Sequence, residues 1–199
     1  MSLVWKKHLK RAASCVMAAV LAASACLANA SFTSYADSYG KGGTVREMSS
    51  QQLVEDMGLG YNIGNTFDSI GSFITTHDPT EYQKAWGNDP VTKLFIHKVR
   101  EGGFKSIRLP VSWSHWIDEN DRVDPAYMAE VQKVVDWCME EDMYVILNIH
   151  HDGGESDTSW IRKASQDYGR ITRKYQTVWQ QIADHFAAYG DHLIFGVSI

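Results

Sequence analysis

The sequence predicts an α/β fold in which helices cover a parallel sheet. From about residue 50, short and nearly continuous apolar runs alternate with segments whose apolar residues recur at helical spacing. Such runs are typical of strands buried on both faces, as in parallel sheets. The order β-α-β-α-β-α-β fits both a doubly wound sheet and part of a (β/α)8 barrel. No glycine-rich dinucleotide fingerprint follows the first strand, which disfavours a dinucleotide-binding sheet.

Four segments are predicted to be strands: residues 58–63, 104–109, 144–149 and 192–197. Each is rich in apolar residues and flanked by glycine, proline or polar residues. We expect the second strand to end before Pro110, because proline has no N–H group to donate to a sheet ladder.

Three helices are predicted between these strands. The first carries Phe95 and Val99 on one face and is closed by a pair of glycines. The second begins at Asp124, a helix-capping residue that is followed by proline at the first helical position. Its apolar stripe is Met128, Val131, Val134, Val135 and Cys138. The third has a stripe of Tyr175, Val178, Trp179, Ile182, Ala183 and Phe186.

The first 30 residues have the three-part pattern of a secretory signal peptide. Four positive charges precede an apolar stretch at residues 15–27, and a small-x-small site ends at Ala30. The stretch is short for a membrane span. Two alternatives are an uncleaved anchor and a lipoprotein signal acylated at Cys26. We therefore expect a secreted protein in which residues 31–49 form a flexible linker and residues 50–199 form the folded domain.

Charge and cysteine content restrict the partners and the chemistry. The chain carries a formal charge of −5, and removal of its basic first residues makes it more negative. This argues against nucleic acid and, after signal cleavage, against membranes as partners. Beyond the signal, Cys138 is the single cysteine, so we expect no internal disulfide. Seven tryptophans and nine tyrosines suit sugar faces, although composition alone favours a role in the core.

Polar residues cluster at the predicted carboxyl ends of the strands, where α/β proteins place their active sites. Asn65 and Asp68 follow the first strand, Arg108 lies late in the second, and His150 ends the third. Because side chains alternate along a strand, a barrel would aim Arg108 and His150 into one mouth. Burial of both groups is costly without hydrogen-bonding partners, so their grouping indicates a site.

Other roles for single residues have to be weighed. Arg108 alone fits a structural ion pair, and Asn65 fits a turn after a glycine. Trp113 and Trp160 each fit core packing. A metal site at His150 and His151 is disfavoured, because adjacent residues on a strand point to opposite faces. We therefore predict no metal.

Five motifs in order carry a specific resemblance. Residues 61–68 (YNIGNTFD) resemble a W-N-L-G-N-T-x-D segment, and residues 81–90 (EYQKAWGNDP) resemble an E-x-x-W-G-N-P loop. Residues 104–113 (FKSIRLPVSW), 144–152 (YVILNIHHD) and 191–195 (DHLIF) are similar to the second-, third- and fourth-strand motifs of the same family. From about residue 50 to 195, the chain resembles the endoglucanases of glycoside hydrolase family 5.

The resemblance implies a (β/α)8 TIM barrel, here truncated to about four βα units as an open half-barrel. It implies an endo-β-1,4-glucanase (cellulase) that degrades β-glucan or a related plant cell-wall polysaccharide with a retaining mechanism and no cofactor. Arg108 would hold the nucleophilic carboxylate, and His150 would bind the sugar in the central subsite.

The resemblance also implies a set of substrate contacts. Asn65 and Asp68 would line the non-reducing side of the cleft, and His151 would contact the substrate as it does in some relatives. Trp113 and Trp160 would form walls of the cleft.

The family pattern breaks off after Phe195. The family places its acid/base in an Asn-Glu-Pro motif after the fourth strand and its nucleophile after the seventh, whereas residues 196–199 read GVSI. We therefore expect no catalytic residue in this chain, an inactive fragment, and open sheet edges that favour self-association. The alternatives are a non-catalytic β-glycan-binding protein and one half of a split barrel.

Overall fold

The computed structural model describes residues 45–196. The predictions for the signal peptide at residues 1–30, for Cys26 and for most of the linker at residues 31–49 lie outside this range. Within it, no helix is both long enough and apolar enough to cross a membrane.

The described residues form one parallel sheet with helices on one side. Four strands lie side by side in the order β1 (Gly60–Asn62), β2 (Ser106–Val111), β3 (Tyr144–Ile149) and β4 (Leu193–Gly196). The alternation predicted from the sequence is confirmed, and the bounds of β3 agree with the prediction.

Five α-helices accompany the strands. They are α1 (Ser50–Met57), α2 (Pro79–Tyr82), α3 (Lys93–Glu101), α4 (Pro125–Glu140) and α5 (Tyr168–His185). Short 3-10 segments occupy Ser114–Trp116, His151–Gly153 and Ile161–Ser165. The helices α3, α4 and α5 are the three predicted between strands, and α1 and α2 were not predicted.

Capping residues fix where the connecting helices begin. Thr92 caps α3, since its Oγ1 accepts a hydrogen bond from the Phe95 amide at 3.1 Å. Asp124 caps α4 as predicted, and Pro125 follows at its first position. The side chain of Asp167 caps α5 through the Arg170 amide at 2.9 Å. Each cap satisfies amide groups that the first helical turn leaves unpaired.

The two faces of the sheet differ in polarity. The face toward the helices is buried and aliphatic, formed in β2 and β3 by Ile107, Leu109, Val111, Val145, Leu147 and Ile149. On the opposite face, which a closed barrel would enclose, the register aligns Asn62, Arg108, Ile146 and Ile194 in one row across the four strands.

Pro110 lies within β2, so the prediction that the strand ends before it is wrong. The backbone N–H and C=O groups of Arg108 point toward β1, because its carbonyl accepts a hydrogen bond from the Ile63 amide at 3.0 Å. The backbone nitrogen of Pro110, two residues later, points toward the same side, but β1 has already ended at Asn62. Its missing N–H therefore leaves no ladder bond unmade.

Candidate active site

Arg108 joins three strands at the carboxyl end of the sheet. Its guanidinium donates to Oδ1 of Asn62 on β1 at 2.7 Å, and its Nη2 lies 3.1 Å from Nδ1 of His150 at the end of β3. The prediction that Arg108 and His150 share one mouth is confirmed. Asn62 was not among the predicted site residues. Its polar side chain near the end of the first predicted strand was the signal that could have found it. In the structure it lies in register with Arg108.

The protonation of His150 follows from its neighbours. A guanidinium can only donate, so Nδ1 of His150 is the acceptor and the other ring nitrogen carries the proton. Burial, followed by the nearby His151 and Arg108, lowers the pKa of His150 to about 4. The ring is therefore neutral near pH 7 and presents one N–H donor.

Among residues 45–196, Arg108 makes no ion pair with a carboxylate; its side-chain partners are the neutral Asn62 and His150. The guanidinium is half-buried. A partly desolvated cation with neutral partners attracts an anion strongly.

Asp68 and His151 lie on the same rim. The carboxylate of Asp68 is buried and accepts the Thr66 amide at 2.9 Å, while its other oxygen is 3.8 Å from Nε2 of His151. Burial raises the pKa of Asp68. The ring of Trp86 lies 5.3 Å from that of His151, centroid to centroid, and adds a half-buried aromatic surface to the rim.

Asn65 is exposed in the turn that joins β1 to Asp68. Its φ of 59° is left-handed, a conformation that asparagine tolerates better than most residues. The turn role is therefore supported, and the exposed side chain is also free to meet a ligand.

The predicted roles of Trp113 and Trp160 as cleft walls are wrong. Trp113 is 1% exposed and packs edge-on against Tyr127, with ring centroids 5.5 Å apart. Trp160 is 5% exposed and donates its Nε1–H to Oδ1 of Asp152 at 2.7 Å. Neither ring offers a face to a sugar.

Asp152 is a buried anchor beneath the mouth. It is 0% exposed, and its second oxygen accepts the Trp113 amide at 2.8 Å. Burial raises the pKa of Asp152 to about 6, against the lowering effect of these hydrogen bonds. The carboxylate thus ties the end of β2 to the segment after β3.

A second buried layer fixes the rim from below. The hydroxyl of Ser112 donates to the Asp68 carbonyl at 3.0 Å and accepts the His151 amide at 3.1 Å. The hydroxyl of Tyr127 on α4 lies 2.8 Å from the carbonyl of Phe67 and 3.1 Å from that of Ser112. Sequence patterns did not reveal these residues, because their partners are carbonyl groups distant in the chain.

Asp68, His150 and His151 bring possible metal-ligand atoms within 4.8 Å of one another. The expectation that the two histidines diverge is wrong, because His150 leaves strand geometry (φ −110°, ψ −95°) and His151 begins a 3-10 turn. The guanidinium of Arg108 beside His150 opposes a metal cation there. Hydrogen bonding to a neutral ligand suits the cluster better.

Parallel βα units with a polar cluster at their carboxyl ends define part of a (β/α)8 enzyme barrel. The family model for cellulase (glycosyl hydrolase family 5) matches residues 65–198. The chain belongs to this family.

Curated relatives support the same family. Endoglucanase A of Clostridium longisporum is 38% identical over 148 residues, which cover 74% of this chain and 28% of that protein. Endoglucanase A of Paenibacillus barcinonensis is 38% identical over 154 residues, covering 76% of this chain and 37% of that protein. The chain spans about a third of the length of these relatives.

Solved structures show the fold. A family 5 enzyme of Prevotella bryantii B14, in complex with a xyloglucan tetradecasaccharide, matches with a TM-score of 0.71 at 34% identity, covering 76% of this chain and 44% of that one. A broad-specificity endoglucanase of Ruminococcus champanellensis with bound cellotriose matches with a TM-score of 0.70 at 35% identity, covering 78% and 44%. The predicted (β/α)8 class is confirmed, and the described residues form an open half of it.

Proposed function

We propose that the protein is a secreted endo-β-1,4-glucanase with a retaining mechanism, and that this chain supplies the glycan-holding half of its cleft. The arrangement of Arg108 carries the proposal. Its guanidinium is fixed by Asn62 and His150 at the mouth, and no carboxylate of residues 45–196 pairs with it. Arg108 is thus prepared to hold a nucleophilic carboxylate by charge-assisted hydrogen bonds.

The other side chains of the mouth suit a neutral sugar. Neutral His150 donates one N–H to a sugar hydroxyl, and its orientation is fixed by Arg108. Asp68 accepts from a hydroxyl, while the exposed Asn65 and the half-buried His151 add contacts on the same rim. No cofactor is required for glycoside hydrolysis of this type.

The retaining mechanism requires two carboxyl groups about 5–5.5 Å apart, one as nucleophile and one as acid/base. Of the acids that follow β1 and β3 directly, Asp152 is fully buried beneath the mouth and Asp68 is held by the Thr66 amide. Neither has the freedom to attack a sugar. We therefore propose that this chain alone does not hydrolyse glycans.

The substrate class is inferred from the neighbours. One solved relative holds a xyloglucan oligosaccharide and another holds cellotriose. We propose a glucan with a β-1,4-linked backbone as the partner of this chain. Secretion through residues 1–30 is tested by the amino-terminal sequence of the exported protein, with acylation at Cys26 as the competing result.

Calorimetry with cellotetraose tests the binding half of the proposal. We expect measurable binding by the purified chain and at least tenfold weaker binding by His150→Ala. A matched control is His97→Ala, an exposed histidine on α3 that pairs with glutamates outside the mouth. Equal affinity of the chain and His150→Ala would contradict the proposal. Release of reducing ends from carboxymethylcellulose by the chain alone would contradict its inactivity.

A chimera tests the catalytic half. Residues 45–196 joined to the remaining carboxyl-terminal part of the Clostridium longisporum relative should hydrolyse β-glucan, because that part would supply a pair of carboxylates beside the mouth. Arg108→Ala in the chimera should reduce kcat at least a hundredfold, whereas Arg162→Ala, whose guanidinium bonds a loop carbonyl, should not. A folded chimera without activity would contradict the proposed part of this half in an active endoglucanase.

A non-catalytic glycan-binding protein is the second candidate. The observation that favours it is that the described mouth has ligand contacts without a matched pair of carboxylates. Binding of cellotetraose by the chain together with an inactive chimera would select this alternative.

A further inference from the structure

Asn148 is a buried polar residue of β3 whose side chain lies beside the mouth. It is 3% exposed, whereas the other residues of the second half of the strand are aliphatic. Burial of an amide costs free energy unless hydrogen bonds satisfy it. Oδ1 of Asn148 is buried without a hydrogen-bond partner among residues 45–196, so this cost is only partly offset. Such a residue favours a role in a site over a role in stability.

The amide nitrogen of Asn148 has two acceptors. Nδ2 donates to the Ile149 carbonyl at 3.0 Å and lies 3.3 Å from Nδ1 of His150. A carbonyl oxygen can only accept, so the side-chain atom beside it is the amide nitrogen and not the amide oxygen. The NH2 group carries two protons, and the second is therefore available to Nδ1 of His150.

Two donors thus meet at one ring nitrogen. Nη2 of Arg108 lies 3.1 Å from Nδ1 of His150, and Nδ2 of Asn148 reaches the same atom from within β3. A proton on Nδ1 would face two N–H groups, whereas a lone pair there accepts from both. Because this lone pair lies in the plane of the ring, the two donors also restrict rotation of the imidazole. Together they favour one tautomer, with the proton at Nε2, and one ring orientation.

Strand geometry does not fix the ring of His150. The residue has φ −110° and ψ −95°, outside the strand region, although its amide still donates to the Val111 carbonyl at 2.9 Å. Its side chain is half-buried at the mouth. The orientation of the ring therefore depends on the side chains that contact it.

We propose that Asn148 is a positioning residue that holds the tautomer and the ring plane of His150 independently of Arg108. The inference rests on the proposed function, in which Arg108 bonds a nucleophilic carboxylate. A guanidinium that turns toward a carboxylate weakens its bond to the ring. The amide of Asn148 is anchored by the Ile149 carbonyl, so it keeps the Nε2–H of His150 directed at a sugar hydroxyl throughout.

Nitrogen-15 NMR of the histidine side chains reads the tautomer in the absence of sugar, with the His150 signals assigned by their loss in His150→Gln. We expect the Nε2–H form in the unchanged chain and also in Arg108→Leu, because Asn148 alone keeps Nδ1 an acceptor. Asn148→Asp sets an acceptor against Nδ1 and should bring a proton to that nitrogen. Asn120→Asp, which makes the same change of charge in an exposed turn, should have no effect on His150.

A variant without either donor completes this test. Arg108→Leu combined with Asn148→Leu should give a mixture of both tautomers of His150. Loss of the Nε2–H form in Arg108→Leu alone would overturn the proposal, as would an unchanged tautomer in both Asn148→Asp and the double variant. Circular dichroism reports whether each variant is folded, and the leucine variants decide the question if the buried carboxylate of Asn148→Asp prevents folding.

Calorimetry with cellotetraose tests the link to the proposed function. We expect the double variant to bind about three- to tenfold more weakly than Arg108→Leu, because an unfixed ring has to be ordered on binding. Equal affinities of these two variants would overturn the role of Asn148 in sugar binding. Absence of binding by the unchanged chain would instead contradict the proposed function, and the NMR result would still decide whether Asn148 positions His150.

Discussion

The two ends of the sheet use arginine in opposite ways. At the amino-terminal end, Arg46 is bonded to the carboxylates of Asp191 at 2.7 Å and Asp56 at 3.1 Å, and also to the Tyr144 hydroxyl. At the carboxyl end, Arg108 is bonded to uncharged partners alone among the described residues. The first charge is neutralised within the chain, whereas the second has no carboxylate partner among the described residues. The difference separates an exposed network of ion pairs from the site that we propose to bind a ligand.

The largest effect is expected beneath the mouth, at Asp152. Replacement by alanine would leave the buried Trp113 amide and the Trp160 indole N–H without acceptors and would open a cavity. We expect a loss of about 2–4 kcal/mol in the free energy of unfolding, measured by urea denaturation. Asp157→Ala, at an exposed position in the neighbouring loop, is the control. An equal, small effect of both changes would show that the mouth is not supported in this way.

A smaller effect is expected for Tyr127→Phe. The ring packing on α4 would be kept, but two buried carbonyls, of Phe67 and Ser112, would lose a shared hydrogen bond. We expect a loss of about 1–2 kcal/mol in the same denaturation experiment. Tyr168→Phe, at an exposed tyrosine, should change nothing measurable. A neutral result for Tyr127→Phe would show that other donors satisfy these carbonyls, as the Ser112 amide already does for the Phe67 carbonyl at 2.9 Å.

The pH dependence of stability separates two groups of the mouth. The pKa of Asp152 is raised to about 6, so the folded state binds more protons than the unfolded state between about pH 4 and 6, and stability falls as pH rises through that window. The raised pKa of Asp68 acts in the same direction. The pKa of His150 is lowered to about 4, so between about pH 4 and 6.5 the unfolded state binds more protons and stability rises with pH.

These contributions oppose each other in the unchanged chain. Compared with it, Asp152→Asn should gain stability more steeply between about pH 4.5 and 6, because the falling contribution of Asp152 is removed, and His150→Gln should show the reverse change of slope, as measured by melting temperature across this range. Parallel profiles for the two variants would contradict the assigned protonation states.

The smallest effect is expected for Arg46→Ala at the amino-terminal end. Exposed ion pairs contribute little and are screened by salt. The melting temperature should fall slightly at low ionic strength, and the difference should shrink in 1 M NaCl. Lys98→Ala, which removes an exposed pair within α3, is the control for a general surface effect. A large, salt-independent loss would place Arg46 in the core of the fold.

Local patterns predicted the fold and part of the site. The alternation of side chains on β2 and β3 was enough to place Arg108 beside His150, and the Asp124–Pro125 cap was enough to start α4. The buried positions of Trp113 and Trp160 depend on how the segment after β3 folds over the end of β2, which is a contact between distant parts of the chain. The inclusion of Pro110 in β2 depends on where its neighbour ends.

The central claim is that the mouth holds a β-glucan through an oriented, neutral His150. Nitrogen-15 NMR of the histidine side chains, with and without cellotetraose at pH 6.5, measures it directly. The account predicts a neutral His150 ring protonated at Nε2, with a shift of that N–H signal on addition of the sugar. A charged ring, a proton at Nδ1, or a signal unaffected by saturating cellotetraose would contradict it.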